Sequence, residues 1–240
     1  MSDIVPAVQA TPAAASRAHY LRAVGAIVWK DLAAELRSKE LVSSMLVFAL
    51  LVTLIFNFSL EFNRTARAEV AAGVLWVTTI FTGTLGLNRS LAAEKDRGSL
   101  DGLLLAPVDR SAVYFGKALG NLLFILIVEA VILPVFSVLF NVTMVQPLVI
   151  AVVVLGAVGY AAVGTLLASL AMHSRSRDVM LPILLFPVAL PVLIAAVRAT
   201  SGVLAGSEWA EISSWFSLLI GYDVIFVAIA FMVFDFVVEE

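Results

Sequence analysis

Six long runs of apolar residues dominate the pattern of polar and apolar positions along the chain. Each run carries either no charged residue or a single acid, and the runs cover residues 41–60, 70–88, 118–140, 147–172, 179–197 and 212–234. A helix of about 20 apolar residues crosses the hydrocarbon core of a bilayer, and its backbone satisfies its own hydrogen bonds there. The pattern therefore predicts an all-α membrane protein with six transmembrane helices.

The composition agrees with this pattern and excludes several classes of chemistry. Of the 240 residues, 62% are hydrophobic and 14% are charged, whereas a soluble domain has an apolar share of about 45–50%. The absence of cysteine excludes a disulfide framework and a thiolate metal site. The chain also lacks the G-x-x-x-x-G-K-[ST] loop that cradles phosphates. We therefore predict that it does not hydrolyse ATP and is not an enzyme by itself.

The distribution of basic residues predicts the orientation in the membrane. Of the 15 lysines and arginines, five precede the first run, five lie between the second and third, and two lie between the fourth and fifth. The other connections hold only three. Because lysine and arginine favour the cytoplasmic side of a membrane, both termini are predicted to be cytoplasmic.

The segment before the first run is predicted to have two parts. Residues 1–18 are rich in alanine and proline and are predicted to form a disordered cytoplasmic leader, followed by one domain over residues 19–240. Residues 19–39 are predicted to form an amphipathic helix in the cytoplasmic membrane interface. Its apolar face consists of Leu21, Val24, Val28, Leu32 and Leu36. Glu35 falls on that face and weakens the pattern, and the alternative is a solvated helix that packs on nothing.

The charged segment of residues 89–117 is longer than an ordinary connection of 2–8 residues between helices. Gly98 can end a helix, Pro107 can end the next one, and Asp109 or Ser111 can begin a third. The spacing predicts a short amphipathic helix, whose apolar face consists of Leu100, Leu103 and Leu104. Such a helix is either a docking surface or part of a hairpin that packs only on its own bundle.

Several strings in this region carry a resemblance to a known family. The string LNRSLAAEKDRGSLDGLLLAPVDRSAVYFGKAL is similar to the first cytoplasmic loop of the type-2 ABC permeases. Within that group, the strings VWKDLAAELRSKE, LGLNRS and GLLLAPVDRSAVYFGK and the six-helix layout resemble the haem exporter B (CcmB) family of bacterial cytochrome c maturation. The resemblance covers residues 20–240. It implies the type-2 ABC permease fold in the bacterial inner membrane.

The resemblance also implies a docking role for the charged segment. Residues 97–107 would form a coupling helix that sits in a groove of a separate ATPase subunit. The residues that would carry this coupling are Glu94, Arg97, Gly98, Leu100, Asp101, Gly102, Leu103, Leu104 and Pro107. ATP-driven motion of the ATPases would then move the second and third transmembrane helices through this segment.

Partners and cofactors follow from the same resemblance. It implies a CcmA-like ATPase that binds ATP, a second copy of this chain, CcmC-like and CcmD-like membrane subunits that handle haem, and a periplasmic CcmE-like haem chaperone. This chain is expected to bind no cofactor, metal or nucleic acid. His19 and His173 are predicted to be ordinary interfacial residues. Whether haem itself crosses or haem-loaded chaperone is released stays open at this point.

Two acids, Glu129 and Asp223, lie in the middle of predicted transmembrane helices and form a candidate intramembrane polar site. A carboxylate in hydrocarbon costs on the order of 3 kcal/mol. Each acid either shapes a polar path or a dimer contact, or is protonated and hydrogen-bonds a neighbouring helix. No base lies in the six predicted runs, so we predict no buried ion pair within the chain.

Other residues predict features of the helix packing. Glycines 156, 159 and 164 are predicted to allow close packing of the fourth transmembrane helix. Prolines 182, 187 and 191 are predicted to kink or interrupt the fifth. Residues 198–211 are too polar to cross and are predicted to form short re-entrant helices at the periplasmic face.

Two other functions fit the residues. One is a type-2 ABC permease for a drug, lipid or glycan. The other is an ion-coupled secondary transporter that uses Glu129 and Asp223, although inverted repeats typical of such transporters are not evident.

Overall fold

The computed structural model describes residues 13–59, 67–96, 109–171 and 177–237. These ranges form seven α-helices and contain no β-strand. The helices are α1 Ala13–Ser38, α2 Glu40–Ser59, α3 Arg67–Asp96, α4 Arg110–Leu139, α5 Pro147–Ala171, α6 Arg177–Ala205 and α7 Trp209–Val237. The predicted all-α fold class is confirmed.

Six of these helices, α2 to α7, are long and apolar enough to cross a membrane. Their membrane-crossing portions are Glu40–Ser59, Ala68–Ser90, Arg110–Leu139, Pro147–Ala171, Val179–Ala205 and Trp209–Val233. Each contains or nearly matches one of the six predicted runs. The six-helix layout is therefore confirmed, and the helix ends extend beyond the uncharged runs because polar end residues continue the same backbone hydrogen bonding.

The protein core lies around α3 and α5. In an apolar 18-residue stretch of α3, 72% of the residues are buried, against 17% in the corresponding stretch of α2. Polar groups tie α3 to its neighbours: the Trp76 indole N–H donates to Thr200 on α6 at 3.0 Å, and the Tyr160 hydroxyl on α5 donates to the Ile80 carbonyl at 2.8 Å. These bonds satisfy polar groups that would be costly to leave unpaired in hydrocarbon.

Three glycines on α5 allow the close helix packing predicted for them. A Cβ at Gly156 would overlap the Trp76 ring, and one at Gly164 would overlap Leu87, both on α3. A Cβ at Gly159 would overlap Asp223 and Tyr222 on α7. Small residues let transmembrane helices approach closely and gain van der Waals contact, so α5 packs between α3 and α7.

The predicted interruption of the fifth transmembrane helix is wrong. Helix α6 runs without a break from Arg177 to Ala205 although it contains three prolines. It packs against α3, α5 and α7, and the Tyr222 hydroxyl on α7 donates to the Val188 carbonyl of α6 at 2.8 Å. Prolines are tolerated in transmembrane helices where neighbouring helices support the weakened backbone. The tertiary contacts therefore outweigh the local cost of each proline.

The predicted re-entrant helices over residues 198–211 are also wrong. Helix α6 continues through Arg198, and a three-residue turn connects it to α7. Gly206 has a left-handed φ of 73°, the Ser207 N–H donates to the Gly202 carbonyl at 2.9 Å, and the Gly206 N–H donates to the Val203 carbonyl at 3.2 Å. This is a Schellman helix end, which reverses the chain without further helices.

The leader boundary needs a correction. Helix α1 begins at Ala13, six residues before the predicted start, so residues 13–18 belong to a helix and not to a disordered leader. The run of three alanines at 13–15 explains the earlier start, because alanine has the highest helix propensity. Residues 1–12 lie outside the described ranges.

Candidate functional site

The predicted docking segment lies largely outside the described residues. This applies to residues 97–107, including Arg97, Gly98, Leu100, Asp101, Gly102, Leu103, Leu104 and Pro107. Glu94 lies in the last turns of α3, and its side chain is likewise outside the described part. The structure therefore describes the two flanks of the segment, which are the end of α3 and the start of α4.

The start of α4 has the cap that the sequence predicts. The Asp109 side chain accepts a hydrogen bond from the Ser111 backbone N–H at 2.9 Å and another from the Ser111 hydroxyl at 2.7 Å. An aspartate at this position satisfies backbone donors that the helix leaves free. The polypeptide that leaves the docking segment thus enters α4 through a defined turn.

Helix α1 packs along the first three turns of α4. Tyr20 hydrogen-bonds Ser111 at 3.1 Å, Ile27 lies against Gly116, and Asp31 reaches Gly120 one turn further along. The contacts advance together along both helices, so the two run in the same direction. The alternative of a helix that packs on nothing is therefore wrong.

A buried ion pair fastens α1 to α4. The Lys117 ammonium nitrogen lies 2.7 Å from Asp31 Oδ2, and the exposed fractions of the two side chains are 5% and 11%. The carboxylate lies close to Gly120, where a Cβ would stand 3.4 Å from Asp31 Oδ2, a distance of ordinary contact. The prediction that the chain holds no buried ion pair is wrong. Lys117 lies one residue before a predicted run, in the first turns of α4, and its partner lies on α1, so a search of the runs alone could not find the pair.

The other flank is held by α2. Near the end of α3, the Arg89 guanidinium lies 2.8 Å from the Glu40 carboxylate and 2.9 Å from the Ser44 hydroxyl. Both charged side chains are largely exposed. An exposed ion pair contributes at most about 1 kcal/mol, so this contact orients the two helix ends more than it stabilises the fold.

Glu35, the acid on the predicted apolar face of α1, binds the start of α2 at the corner between the two helices. The Glu35 carboxylate accepts hydrogen bonds from the Val42 N–H at 2.8 Å and the Leu41 N–H at 3.3 Å, in the first turn of α2. Lys39 joins the helices with a left-handed φ of 53°. A carboxylate at a helix N-terminus is favoured by the free N–H groups and the helix dipole. Glu35 thus fixes the angle at which α1 meets α2.

These contacts connect into one unit, which we call the coupling frame. It consists of α1, the first turns of α2, the end of α3 and the first three turns of α4. The frame holds both flanks of residues 97–108 through Arg89 on one side and Asp31, Lys117 and Ser111 on the other. These contacts therefore connect the ends of all four helices next to residues 97–108.

Glu129 lies inside the protein between α4 and α3, with 3% of the residue exposed. Its Oε1 is 2.5 Å from the Thr79 hydroxyl, which also lies 2.9 Å from the Leu75 carbonyl. A threonine hydroxyl has one hydrogen. If that hydrogen serves the Leu75 carbonyl, Glu129 must supply the other, and this favours the protonated acid. Glu129 Oε2 has no partner within the described residues.

Asp223 lies in a different interface. It is 7% exposed and points from α7 at Gly159 on α5. Neither of its carboxyl oxygens has a hydrogen-bond partner in the described ranges. No described hydrogen bond or ion pair joins Asp223 to Glu129, and the two acids contact different helices, Glu129 at Thr79 on α3 and Asp223 at Gly159 on α5.

Replacing Glu129 by Gln should leave folding and turnover near normal. The Gln amide can donate to the Thr79 hydroxyl as a protonated carboxyl does. Replacing it by Ala should destabilise the protein by roughly 1–3 kcal/mol, because the buried Thr79 hydroxyl loses one of its two hydrogen-bond partners. The measurement is the activity that the resemblance implies, cytochrome c maturation with its ATPase rate, at matched expression. Loss of both activities in a normally assembled Glu129→Gln complex would show that the charge itself is used.

The described residues give no sign of a metal centre. No group of three or more His, Asp or Glu side chains in the described ranges is arranged to hold a metal ion. His19 is exposed on α1, as expected for an interfacial residue, and His173 lies outside the described part of the chain.

Comparison with known proteins gives one consistent result. The family model described as "CcmB protein" matches residues 22–239. The chain is 28% identical over 205 residues to heme exporter protein B of Rhodobacter capsulatus, covering 85% of this chain and 93% of that protein. It is 27% identical over 184 residues to the protein of the same name from Paracoccus denitrificans, covering 76% and 84%. For that of Bradyrhizobium diazoefficiens, identity is 24% over 187 residues, covering 78% and 84%.

Proposed function

Because this chain belongs to the CcmB protein family, we propose that it is the membrane-spanning permease subunit of an ATP-driven haem exporter in the bacterial inner membrane. The observation that carries this proposal is the family match over residues 22–239, together with relatives named heme exporter protein B that align over most of their length. The six membrane-crossing helices agree with such a multi-pass subunit.

The subunit receives its energy from outside the chain. We propose that residues 97–107 dock on a separate CcmA-like ATPase, which binds the ATP. The coupling frame supports this role, because it links both flanks of the segment to α1 and α2 as well as to α3 and α4. A movement of the segment would then displace α1, α2, α3 and α4 together.

The complex contains further subunits in this proposal. A second copy of the chain forms the pair that matches two ATPases, and CcmC-like and CcmD-like membrane subunits with a periplasmic CcmE-like chaperone handle haem. This chain contributes movement and holds no cofactor. In support, it has no cysteine, and its one described histidine, His19, lies on α1 beside the ATPase-docking flank.

Both termini lie on the cytoplasmic side in this proposal. Lysine and arginine favour that side, and Lys39, Arg89 and Lys117 all belong to the coupling frame at one end of the helix bundle. The ATPase then meets the membrane at this end. Energy from ATP is used either to move haem or to release haem-loaded chaperone on the opposite side.

The alternatives fit less well. The family match disfavours a drug, lipid or glycan as the transported compound. An ion-coupled transporter would need its acids along a shared path, whereas Glu129 faces Thr79 between α3 and α4 and Asp223 faces Gly159 between α5 and α7.

Purification of the tagged chain from its native membranes tests the proposal. We expect an ABC ATPase and haem-handling membrane subunits to co-purify in fixed proportion, and ATPase activity to accompany them. The matched control is a tagged, unrelated six-helix inner-membrane protein prepared in the same detergent. A chain that supports cytochrome c maturation in a strain lacking the ATPase would contradict the proposal.

A further inference from the structure

The acidic and basic side chains of α1 lie on different sides of the helix. Its two acids point into the protein, where Asp31 pairs with Lys117 and Glu35 accepts hydrogen bonds from the start of α2. The bases that follow His19 are exposed: Arg22, Lys30 and Arg37 on the helix, and Lys39 at its end. The outer surface of α1 therefore carries these four bases, while both acids of the helix face the protein.

The outward surface also carries large apolar side chains. Leu21, Trp29 and Leu36 are exposed by 69%, 66% and 61%. At 100° per residue these three fall within roughly 80° of one another, and Arg22, Lys30 and Arg37 fall in the adjoining sector of similar width. The third sector, with Val24, Ile27 and Asp31, packs on α4. An exposed apolar stripe beside a basic stripe is typical of helices at a membrane surface.

The Lys39 end of this surface lies at the level of the lipid headgroups. Lys39 directly precedes Glu40, which pairs with Arg89, and Arg89 lies at the end of the membrane-crossing portion Ala68–Ser90 of α3. The bases near the end of α1 thus lie where the hydrocarbon ends. Basic residues at this level attract anionic headgroups, and each one close to the surface strengthens binding about fivefold.

We infer that Arg22, Lys30, Arg37 and Lys39, together with the exposed Leu21, Trp29 and Leu36, form a binding surface for anionic phospholipid headgroups. The occupant is lipid and not a soluble protein, because the bases adjoin large exposed apolar side chains, a combination typical of helices at a membrane surface. Since α1 belongs to the coupling frame, the bound lipids hold one side of the frame at the membrane surface. This inference does not depend on what the permease transports.

The test counts bound lipid on the intact chain. The chain, purified with whatever subunits accompany it, is placed in nanodiscs of equimolar phosphatidylcholine and phosphatidylglycerol, released into mild detergent and examined by native mass spectrometry. The variant combines Arg22→Gln, Arg37→Gln and Lys39→Gln. Lys30 stays, because it lies 3.5 Å from Asp31 and its loss would disturb the buried pair. The control variant Arg22→Lys, Arg37→Lys, Lys39→Arg keeps the charge.

We expect the neutral variant to retain at least about tenfold less phosphatidylglycerol than the wild type, and the charge-keeping variant to retain the wild-type amount. Raising the salt concentration should weaken retention in the wild type. Equal retention in all three proteins would overturn the inference, as would equal loss in both variants. Displacement of the lipid by inorganic phosphate would indicate a free-anion site instead. Unchanged lipid with loss of the ATPase subunit from the neutral variant would indicate a protein contact.

Discussion

Replacing Lys117 by Met should strongly destabilise the permease, because Asp31 then keeps only the exposed Lys30, at 3.5 Å, as a counter-charge. Removing one member of a buried ion pair typically costs about 3–5 kcal/mol. Asp31 is 11% exposed at its side chain and lies against Gly120, so water cannot replace the ammonium group fully. We expect a sharp fall in the thermal unfolding temperature of the detergent-purified chain and in the amount of inserted protein.

Two further variants decide whether the charge imbalance is the cause. The double variant Asp31→Leu, Lys117→Met removes both charges and should recover most of the stability, because buried ion pairs can often be replaced by apolar side chains. Glu40→Gln, which breaks the exposed pair with Arg89, should cost at most about 1 kcal/mol. If Lys117→Met unfolds at the same temperature as Glu40→Gln, the pair does not fasten α1 to α4.

Replacing Leu103 and Leu104 by Asp should abolish cytochrome c maturation while the chain remains inserted. By the i, i+3, i+4 spacing these residues share a face with Leu100, and two carboxylates on that face cannot be buried in an ATPase groove without a large desolvation cost. The measurement is maturation together with the amount of ATPase that co-purifies with the chain.

Leu105 provides the matched control for this experiment. It is adjacent in sequence and equally apolar, but the same spacing places it on another side of the predicted short helix. Leu105→Asp should therefore keep ATPase binding and most of the maturation. Normal ATPase binding and maturation in the Leu103→Asp, Leu104→Asp variant would rule out the coupling role of this face.

The transmembrane helices could be predicted from the sequence because the requirement behind them is local. About 20 consecutive apolar residues meet the demand of the bilayer without reference to any other part of the chain. The same holds for the Asp109 cap, which depends on residues two positions apart. The family relationship was recognisable for a similar reason, since strings around Gly102 and Pro107 carry it in consecutive residues.

The contacts between helices could not be predicted in this way. Asp31 and Lys117 are 86 positions apart, and Glu129 and Thr79 are 50 apart. The residues next to one partner in the sequence therefore do not indicate the other. The predicted interruption at the prolines of α6 failed because it considered only local structure. Each proline weakens the helix, but the packing of α6 on three other helices outweighs that cost. The spacing Gly116-x-x-x-Gly120 is the one local signal that a helix approaches α4 there.

The long separation of Asp31 and Lys117 has a consequence for biogenesis. A ribosome adds about 5–20 residues per second, so the 86 residues between the two partners take several seconds to synthesise. During that interval α2 and α3 enter the bilayer and Asp31 has no Lys117 to pair with. Its nearest counter-charge is then Lys30, which lies 3.5 Å from it in the folded protein. Docking of α1 is thus a late event in translation. It can be completed only after the first turns of α4 have been synthesised and have reached the translocon exit.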